Sequence, residues 1–253
     1  MKKSHYLLAS ILLLFTMLWM PLGQYDFLID HWMKIGTYAI PFIGIGIFTF
    51  IDTTTFETLY KDFRFLAVLL LVAYIIHQFE EHWIDLYGNT YAFYTFNNNF
   101  ILTNLGAPDS AVKPLTKASI FVINTSLVWL IGALAILRSP KHLFPFFAMA
   151  GIILINGVVH ILAGLVKFQY NPGLLSSALI FVPLYFWVIR KTIGLNPKNK
   201  KLIIGGLVWA ILAHVIMVGG LIAANWLNVI PENLYWLFLV IWSVLPIFLF
   251  RRY

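Results

Sequence analysis

A histidine and two adjacent carboxylates stand at the end of a long apolar run. The segment IIHQFEEHW contains His77, Glu80 and Glu81. On a helix, the two acids follow His77 by three and four residues, so they flank the face on which the imidazole projects. A carboxylate in or near hydrocarbon is costly unless it is paired, protonated or metal-bound, and it therefore indicates a functional site. Alternatively, the two acids merely end a helix in the headgroup layer.

Two further apolar segments carry a histidine. Asn156 and His160 lie four residues apart, and they share a helical stripe with Gly157 and Gly164. Because small residues allow a neighbouring helix to approach closely, we expect this stripe to face the bundle. His214 is also expected to point inward, among small residues. The simpler alternative is that both histidines only hydrogen-bond within the helix packing, His160 to Asn156 or to a neighbouring carbonyl.

These side chains are suited to a divalent metal. Neutral imidazoles and a carboxylate are ligands of zinc and of non-haem iron. We expect His77, His160 and one of Glu80 and Glu81 to be ligands, with His214 as a further ligand. The chain has no cysteine, which excludes thiolate sites and disulfides. The predicted metal is zinc first and iron second. A di-iron centre ranks lower, because such bundles usually supply more carboxylates.

The remaining polar residues receive catalytic roles in this interpretation. The glutamate of the Glu80 and Glu81 pair that is not a ligand acts as general base on a bound water. Asn156 or Tyr170 holds an oxyanion or orients a ligand. Tyr170 also precedes Asn171-Pro172-Gly173, a sequence that by itself predicts a turn with an interfacial tyrosine. The expected reaction is hydrolysis or transfer on a lipid-like ester or amide.

The composition places these residues in a membrane protein. Hydrophobic residues make up 61% of the 253 positions, charged residues make up 11%, and the mean hydropathy is +0.86. A transmembrane helix needs about 20 apolar residues, and runs of that length fill most of the chain. We therefore predict a single integral membrane domain over residues 1–253. The net charge of +7 is explained by topology and contact with anionic lipid, without nucleic acid.

The apolar runs predict an all-α, polytopic transmembrane helix bundle of about eight helices. The spans lie near Tyr6 to Leu22, Ile35 to Ile51, Phe63 to Phe79, Ala118 to Leu137, Leu143 to Val166, Gly173 to Ile189, Leu202 to Ala224 and Asn233 to Phe250. The first is interpreted as an uncleaved helix, because it lacks an A-x-A cleavage site. The predicted location is the cell membrane.

Charge asymmetry predicts that both termini are cytoplasmic. This orientation leaves only Lys34, Lys113, Lys117 and Lys167 outside, with all the other Lys and Arg residues inside. At about 1.5 Å per residue, the three intramembrane histidines then lie about 21, 25 and 18 Å along their helices. We therefore expect one polar slab that opens toward the extracytoplasmic side.

A long connection over residues 83–116 is expected on that side. It is rich in Tyr and Phe and poor in charge. This composition favours an interfacial segment, such as a short helix or re-entrant piece that caps the site. It is equally compatible with an aromatic belt alone. The nearby Asn124-Thr125-Ser126 triplet lies inside a span and is interpreted as intrahelical polar packing.

Three short motifs occur in order along the chain: HQFEE from His77 to Glu81, NGVVH from Asn156 to His160 and YNPG from Tyr170 to Gly173. They resemble the HxxEE, NxxxH and YxPG signatures of the HXXEE-domain family of multi-helix membrane proteins. The resemblance implies a shared polar site and does not supply a reaction. His214 lies outside these motifs, so its role depends on the depth argument.

Three classes of function remain open. An intramembrane metal-dependent enzyme, a hydrolase or transferase acting on membrane lipid or another hydrophobic small molecule, is the leading hypothesis. A proton- or ion-coupled transporter would use the same groups as a relay. This hypothesis predicts that the chain has two related halves, and the sequence shows no convincing repeat. A non-catalytic membrane partner protein would tolerate substitution at these residues.

Overall fold

The described part of the chain is built from helices. A computed structural model describes residues 26–50, 56–59, 61–105 and 114–250, and it shows no strand in these ranges. The helices are α1 Asp26–Phe50, α2 Phe63–Trp83, α3 Ala92–Leu105, α4 Lys117–Arg138, α5 Phe144–Lys167, α6 Leu174–Leu195, α7 Asn199–Trp226 and α8 Glu232–Ile247, with a single turn at Phe56–Leu59. The predicted all-α bundle is confirmed. The span predicted from Tyr6 to Leu22 lies outside the described residues.

Within the described ranges, five helices are long and apolar enough to cross a membrane. They are α2, α4, α5, α6 and α7, while α8 is a shorter apolar helix. The chain is therefore a multi-pass membrane protein, whereas its orientation and the identity of its membrane stay predictions. Helix α6 continues to Leu195, past its predicted end at Ile189. Arg190 and Lys191 prompted the shorter prediction, but long cationic side chains near a helix end can reach the interface while the helix continues.

Glycines allow the spanning helices to approach closely. A Cβ added to Gly206 of α7 would lie 2.4 Å from the backbone oxygen of Phe147 on α5. A Cβ added to Gly157 of α5 would lie 3.2 Å from the Cβ of Phe181 on α6. The close approach expected at Gly157 is therefore present, and α5 packs tightly against both α6 and α7.

The elements that carry the candidate site meet at one end of the bundle. Helices α2 and α5 bring their C-terminal ends there, and α6 begins there after the connection 168–173. The aromatic-rich connection contributes the short helix α3. Asn98 of α3 donates to the Leu115 oxygen at 2.9 Å and accepts from the Leu115 nitrogen at 3.0 Å. These two bonds hold α3 against the start of α4.

Candidate metal centre

Helix α2 ends in a π-helical turn that encloses both glutamates. The turn spans Phe79–Trp83, and the Ile84 nitrogen donates to the Phe79 oxygen at 3.0 Å. Glu80, Glu81 and His82 are only 8%, 3% and 0% exposed. The acids therefore do not end the helix in water, contrary to that part of the alternative interpretation. Such π turns frequently occur at functional sites.

Three side chains from α2 and α5 converge on one point. The Oε1 atom of Glu81 lies 3.4 Å from Nε2 of His77 and 3.1 Å from Nε2 of His160. The three atoms lie within 4.8 Å of one another, and all three side chains are buried. The structure thus brings together both predicted histidines and identifies Glu81 as the carboxylate that faces them.

The hydrogen bond at Nδ1 of His160 determines which ring nitrogen carries the proton in the neutral imidazole. His160 Nδ1 lies 2.7 Å from Oδ1 of Asn171, whose amide nitrogen donates to the His160 backbone oxygen at 2.9 Å. That second bond fixes which end of the amide is oxygen. Because the amide oxygen can only accept, Nδ1 carries the proton and Nε2 of a neutral ring presents a lone pair. Asn171 was interpreted from the sequence as a turn residue only.

A serine and Glu80 set the protonation of His77 in the same way. His77 Nδ1 lies 2.8 Å from Oγ of Ser176, and this hydroxyl donates to Oε2 of Glu80. Since the single hydroxyl proton is directed to the carboxylate, Oγ accepts from Nδ1–H of His77. His77 therefore also presents a lone pair at Nε2. Sequence reasoning missed Ser176, for which the chain offers no spacing signal.

The convergence point is consequently crowded with lone pairs. With both rings neutral, two imine nitrogens and a carboxylate oxygen face each other without a proton between them. Within the described chain, neither His77 Nε2 nor Glu81 Oε1 has a hydrogen-bond partner. Buried polar atoms are almost always paired, so this arrangement calls for a cation. The buried group His77, Glu81 and His160 can hold a metal ion.

Gly173 forms the floor of this group. Its φ of +96° is in the region that favours glycine. A Cβ added there would lie 2.7 Å from Cε1 of both His77 and His160. The glycine of the YNPG motif therefore gives the two imidazoles the room to approach each other.

Glu80 is held away from the convergence point by four hydrogen bonds. Its Oε1 accepts from the Tyr170 hydroxyl and the Leu175 nitrogen, both at 3.0 Å. Its Oε2 accepts from the Ser176 nitrogen at 2.8 Å and from the Ser176 hydroxyl. Burial raises the pKa of Tyr170 above its usual value, which keeps its hydroxyl protonated as a donor. Glu80 thus caps the N-terminus of α6, where Gly173 has no side chain to do so.

A chain of amides leads to the other oxygen of Glu81. The indole of Trp129 donates to Gln78 at 3.0 Å, and Gln78 donates to Asn124 at 2.9 Å. The amide nitrogen of Asn124 then lies 3.4 Å from Nε2 of His82. This Nε2 atom of His82 lies 3.3 Å from Oε2 of Glu81. His82 received no role in the sequence analysis. Its spacing of four residues from Gln78 was the available signal that both share an inward stripe.

Asn156 and His214 lie beside the group, along a cavity. The cavity has a volume of about 130 Å³ and is lined by Glu81, Asn156 and His214 among mostly apolar residues. His214 donates from Nδ1 to the Ala210 oxygen at 2.8 Å and is not part of the His77, Glu81 and His160 group. The proposed bond between His160 and Asn156 is absent among the described contacts, since His160 bonds Asn171 instead.

Aromatic rings cover the histidines. Phe93 of α3 lies 5.3 Å from the His82 ring and 5.8 Å from the His160 ring, between centroids. Phe181 of α6 lies 4.4 Å from the His77 ring. Helix α3 therefore caps the group, as the sequence suggested for the connection, and the rings keep water from it.

Comparison with known proteins supports the motif assignment. Residues 68–188 match a family described as "Protein of unknown function with HXXEE motif". Neither the curated proteins nor the solved structures give a match to this chain. The matched region contains His77, Glu81, His160 and Gly173. The resemblance carried by the three motifs is therefore confirmed over residues 68–188.

Proposed function

We propose that His77, Glu81 and His160 bind a divalent metal, zinc first and iron second. The observation that carries this proposal is the meeting of three buried ligand atoms, two of which have no hydrogen-bond partner in the described chain; they are His77 Nε2, His160 Nε2 and Glu81 Oε1. A cation at that point converts a repulsive arrangement into three favourable contacts. Asn171 and Ser176, which bond the far nitrogens of the imidazoles, match the partners that orient histidine ligands in metal sites.

The distances from Glu81 Oε1 to the two imidazole nitrogens suit zinc. Neighbouring ligands in a tetrahedral site with bonds of 2.0–2.1 Å are about 3.3 Å apart. The two nitrogens lie 3.4 and 3.1 Å from Glu81 Oε1. Two histidines and one glutamate are a donor set of catalytic zinc sites, and two histidines with a carboxylate also serve non-haem iron. A bound zinc would supply an activated water or polarise a carbonyl oxygen.

We further propose an intramembrane metal-dependent hydrolase or transferase that acts on a lipid-like substrate from the extracytoplasmic side of the cell membrane. The group lies at one end of a bundle of apolar helices and adjoins an apolar cavity, which favours a hydrophobic substrate. Asn156 reaches that cavity and keeps its proposed role of orienting the substrate.

The contacts favour different roles for the two glutamates. Glu81 is the metal ligand of this proposal. Both oxygens of Glu80 are occupied by donors, so a positioning role, exerted through Ser176 on His77, fits better than that of general base. Tyr170 supports Glu80 in the same way. The nearest alternative base is His82, whose Nε2 lies 3.3 Å from Glu81 Oε2.

A proton-coupled transporter is less well supported by the helix interiors. A relay needs polar groups that continue toward the other side of the bundle. Residues 65–73 of α2 and 144–155 of α5, which precede the histidines on these helices, are all apolar. The enzyme is therefore the preferred proposal over both the relay and a non-catalytic partner protein.

Elemental analysis of the detergent-purified full chain tests the metal centre. We expect about one zinc or iron per chain and its loss in a His77→Ala, His160→Ala double variant that elutes as the folded protein does. His214→Ala is the matched control and should retain the metal, because His214 lies outside the group. Absence of metal from the wild type after zinc repletion would refute the centre. Proton flux into liposomes that survives metal removal would then favour the relay.

A further inference from the structure

The cavity beside the metal group is lined by both apolar and polar side chains. It lies between α2, α3, α4, α5 and α7, and Ile123, Leu127 and Met217 are among its apolar lining. Glu81 also lines it, so the cavity adjoins the metal group directly. The other polar lining residues are Tyr74, Asn97, Asn124, Asn156 and His214. Its volume of about 130 Å³ compares with the 150 Å³ of a cavity that binds benzene, which corresponds to roughly six carbon atoms.

Two polar side chains of the lining, those of Asn156 and His214, present acceptors. The carbonyl of Ala210 can only accept, so His214 carries its proton at Nδ1 and presents a lone pair at Nε2. Asn156 Oδ1 is buried and has no hydrogen-bond partner among the described residues. Because leaving buried acceptors unpaired is costly, an occupant that brings a hydrogen-bond donor is favoured over one that brings none.

The cavity also reaches the outer surface of the bundle. Val218 of α7 lines the cavity and is nevertheless 47% exposed. Val215, one turn earlier on α7, is 62% exposed and is not among the cavity-lining residues. Since α7 is long and apolar enough to cross a membrane, the exposed side of Val218 faces lipid, and an alkyl chain can enter or leave beside it.

We propose that this cavity binds the amide group and adjoining carbons of an N-acyl lipid, with Asn156 and His214 as acceptors for its N–H. This inference rests on the proposed function and names its substrate class. The amide carbonyl lies toward the metal group, the amide and about three adjoining carbons fill the cavity, and the remaining chain passes Val218 into the lipid. An ester of equal length lacks the N–H and leaves both acceptors unpaired.

Fluorine NMR of the detergent-solubilised full chain tests the proposal with two matched probes. The amide probe is N-methyl-6,6,6-trifluorohexanamide, and the ester probe is methyl 6,6,6-trifluorohexanoate. We expect a shifted, broadened resonance for the bound amide and at least about tenfold weaker binding of the ester. Replacing both acceptors, in an Asn156→Leu, His214→Leu variant, should reduce this preference to less than about twofold.

A pair of valine variants tests the position of the cavity. Val218→Trp should weaken amide binding at least about tenfold, whereas Val215→Trp, on the same helix, should leave it unchanged. Equal affinity for amide and ester, or equal effects of the two valine variants, would overturn the proposal. Elution of each variant in size-exclusion chromatography at the wild-type volume is the check of folding, and its metal content is measured alongside.

Binding measured with and without repleted zinc separates this inference from the proposed function. If the protein binds the amide selectively but never binds metal, the metalloenzyme fails while the cavity assignment stands. If it binds metal but shows no preference for the amide, the cavity assignment fails alone.

Discussion

Replacing Gly173 by alanine should weaken metal binding without unfolding the protein. The added Cβ would lie 2.7 Å from Cε1 of both His77 and His160 and 2.9 Å from Nδ1 of His160. Carbon atoms are most stable about 3.5–4.0 Å apart, so the backbone and the rings must separate by about 1 Å. Neither imidazole moves freely, because Asn171 and Ser176 hold their Nδ1 atoms.

The size of the effect follows from two contributions. Metal ligands tolerate displacements of about 0.2 Å, and a shift of half an ångström in each ring exceeds that limit. Loss of correct support around a ligand typically costs 10–100-fold in metal affinity. The φ of +96° adds backbone strain of about 1–3 kcal/mol for any residue with a Cβ. We therefore expect a 10–100-fold rise in the metal Kd and a lower melting temperature.

Competition with a chromophoric zinc chelator in detergent measures the Kd, and a thermal melt measures stability. Gly88→Ala is the matched control, because Gly88 also has a positive φ, +81°, but a Cβ there would meet nothing within 4 Å. It should share the strain and keep the metal. If Gly173→Ala binds zinc within about twofold of wild type, or if Gly88→Ala loses zinc equally, the proposed packing of the imidazoles is wrong.

Three further substitutions address the supports of the site and the fold. Ser176→Ala should raise the metal Kd about 10–100-fold in the chelator assay, whereas Ser177→Ala should not, since its buried hydroxyl has no hydrogen-bond partner in the described chain. Glu80→Gln should lower the free energy of unfolding by about 1–3 kcal/mol, as measured by thermal melts. The reason is that an amide nitrogen replaces an oxygen that accepts from backbone N–H groups. An unchanged melting curve would contradict the capping role of Glu80. Gly206→Ala should reduce the yield of monodisperse protein in size-exclusion chromatography through its backbone contact, whereas Gly219→Ala, where a Cβ meets nothing within 4 Å, should not.

The helices and the main residues of the proposed metal centre could be predicted, because both leave local signals in the sequence. Apolar runs of about 20 residues identify spans by length alone. His77 and Glu81 stand four apart on one of these spans, and His160 lies at a similar predicted depth on another. The predicted depths along the helices therefore place His77, Glu81 and His160 at one level of the bilayer. They place His214 at a similar level as well. Depth gives height in the bilayer but no rotation about the helix axis.

The supporting residues could not be predicted, because their roles arise only from tertiary contacts. Ser176 is one of two adjacent serines, and only the structure shows which of them reaches His77. Asn171 and Gly173 were recognised as turn residues, which is correct for the backbone. Their contact with the imidazoles depends on how the connection 168–173 folds back over α5, and no local periodicity encodes that path.

The π-helical turn explains how adjacent identical residues receive different tasks. In the turn Phe79–Trp83, Glu80 and Glu81 project in different directions from one helix end. Glu80 accepts from backbone amides at the start of α6, and its carboxylate is bound by four hydrogen bonds in all. Glu81 meets two imidazoles whose protons lie on their far nitrogens, and one of those protons is directed there by Glu80 through Ser176. In the proposed metal centre, Glu80 thereby helps to orient the His77 lone pair that would bind the same cation as Glu81. The EE doublet would then act as a single unit across two helices.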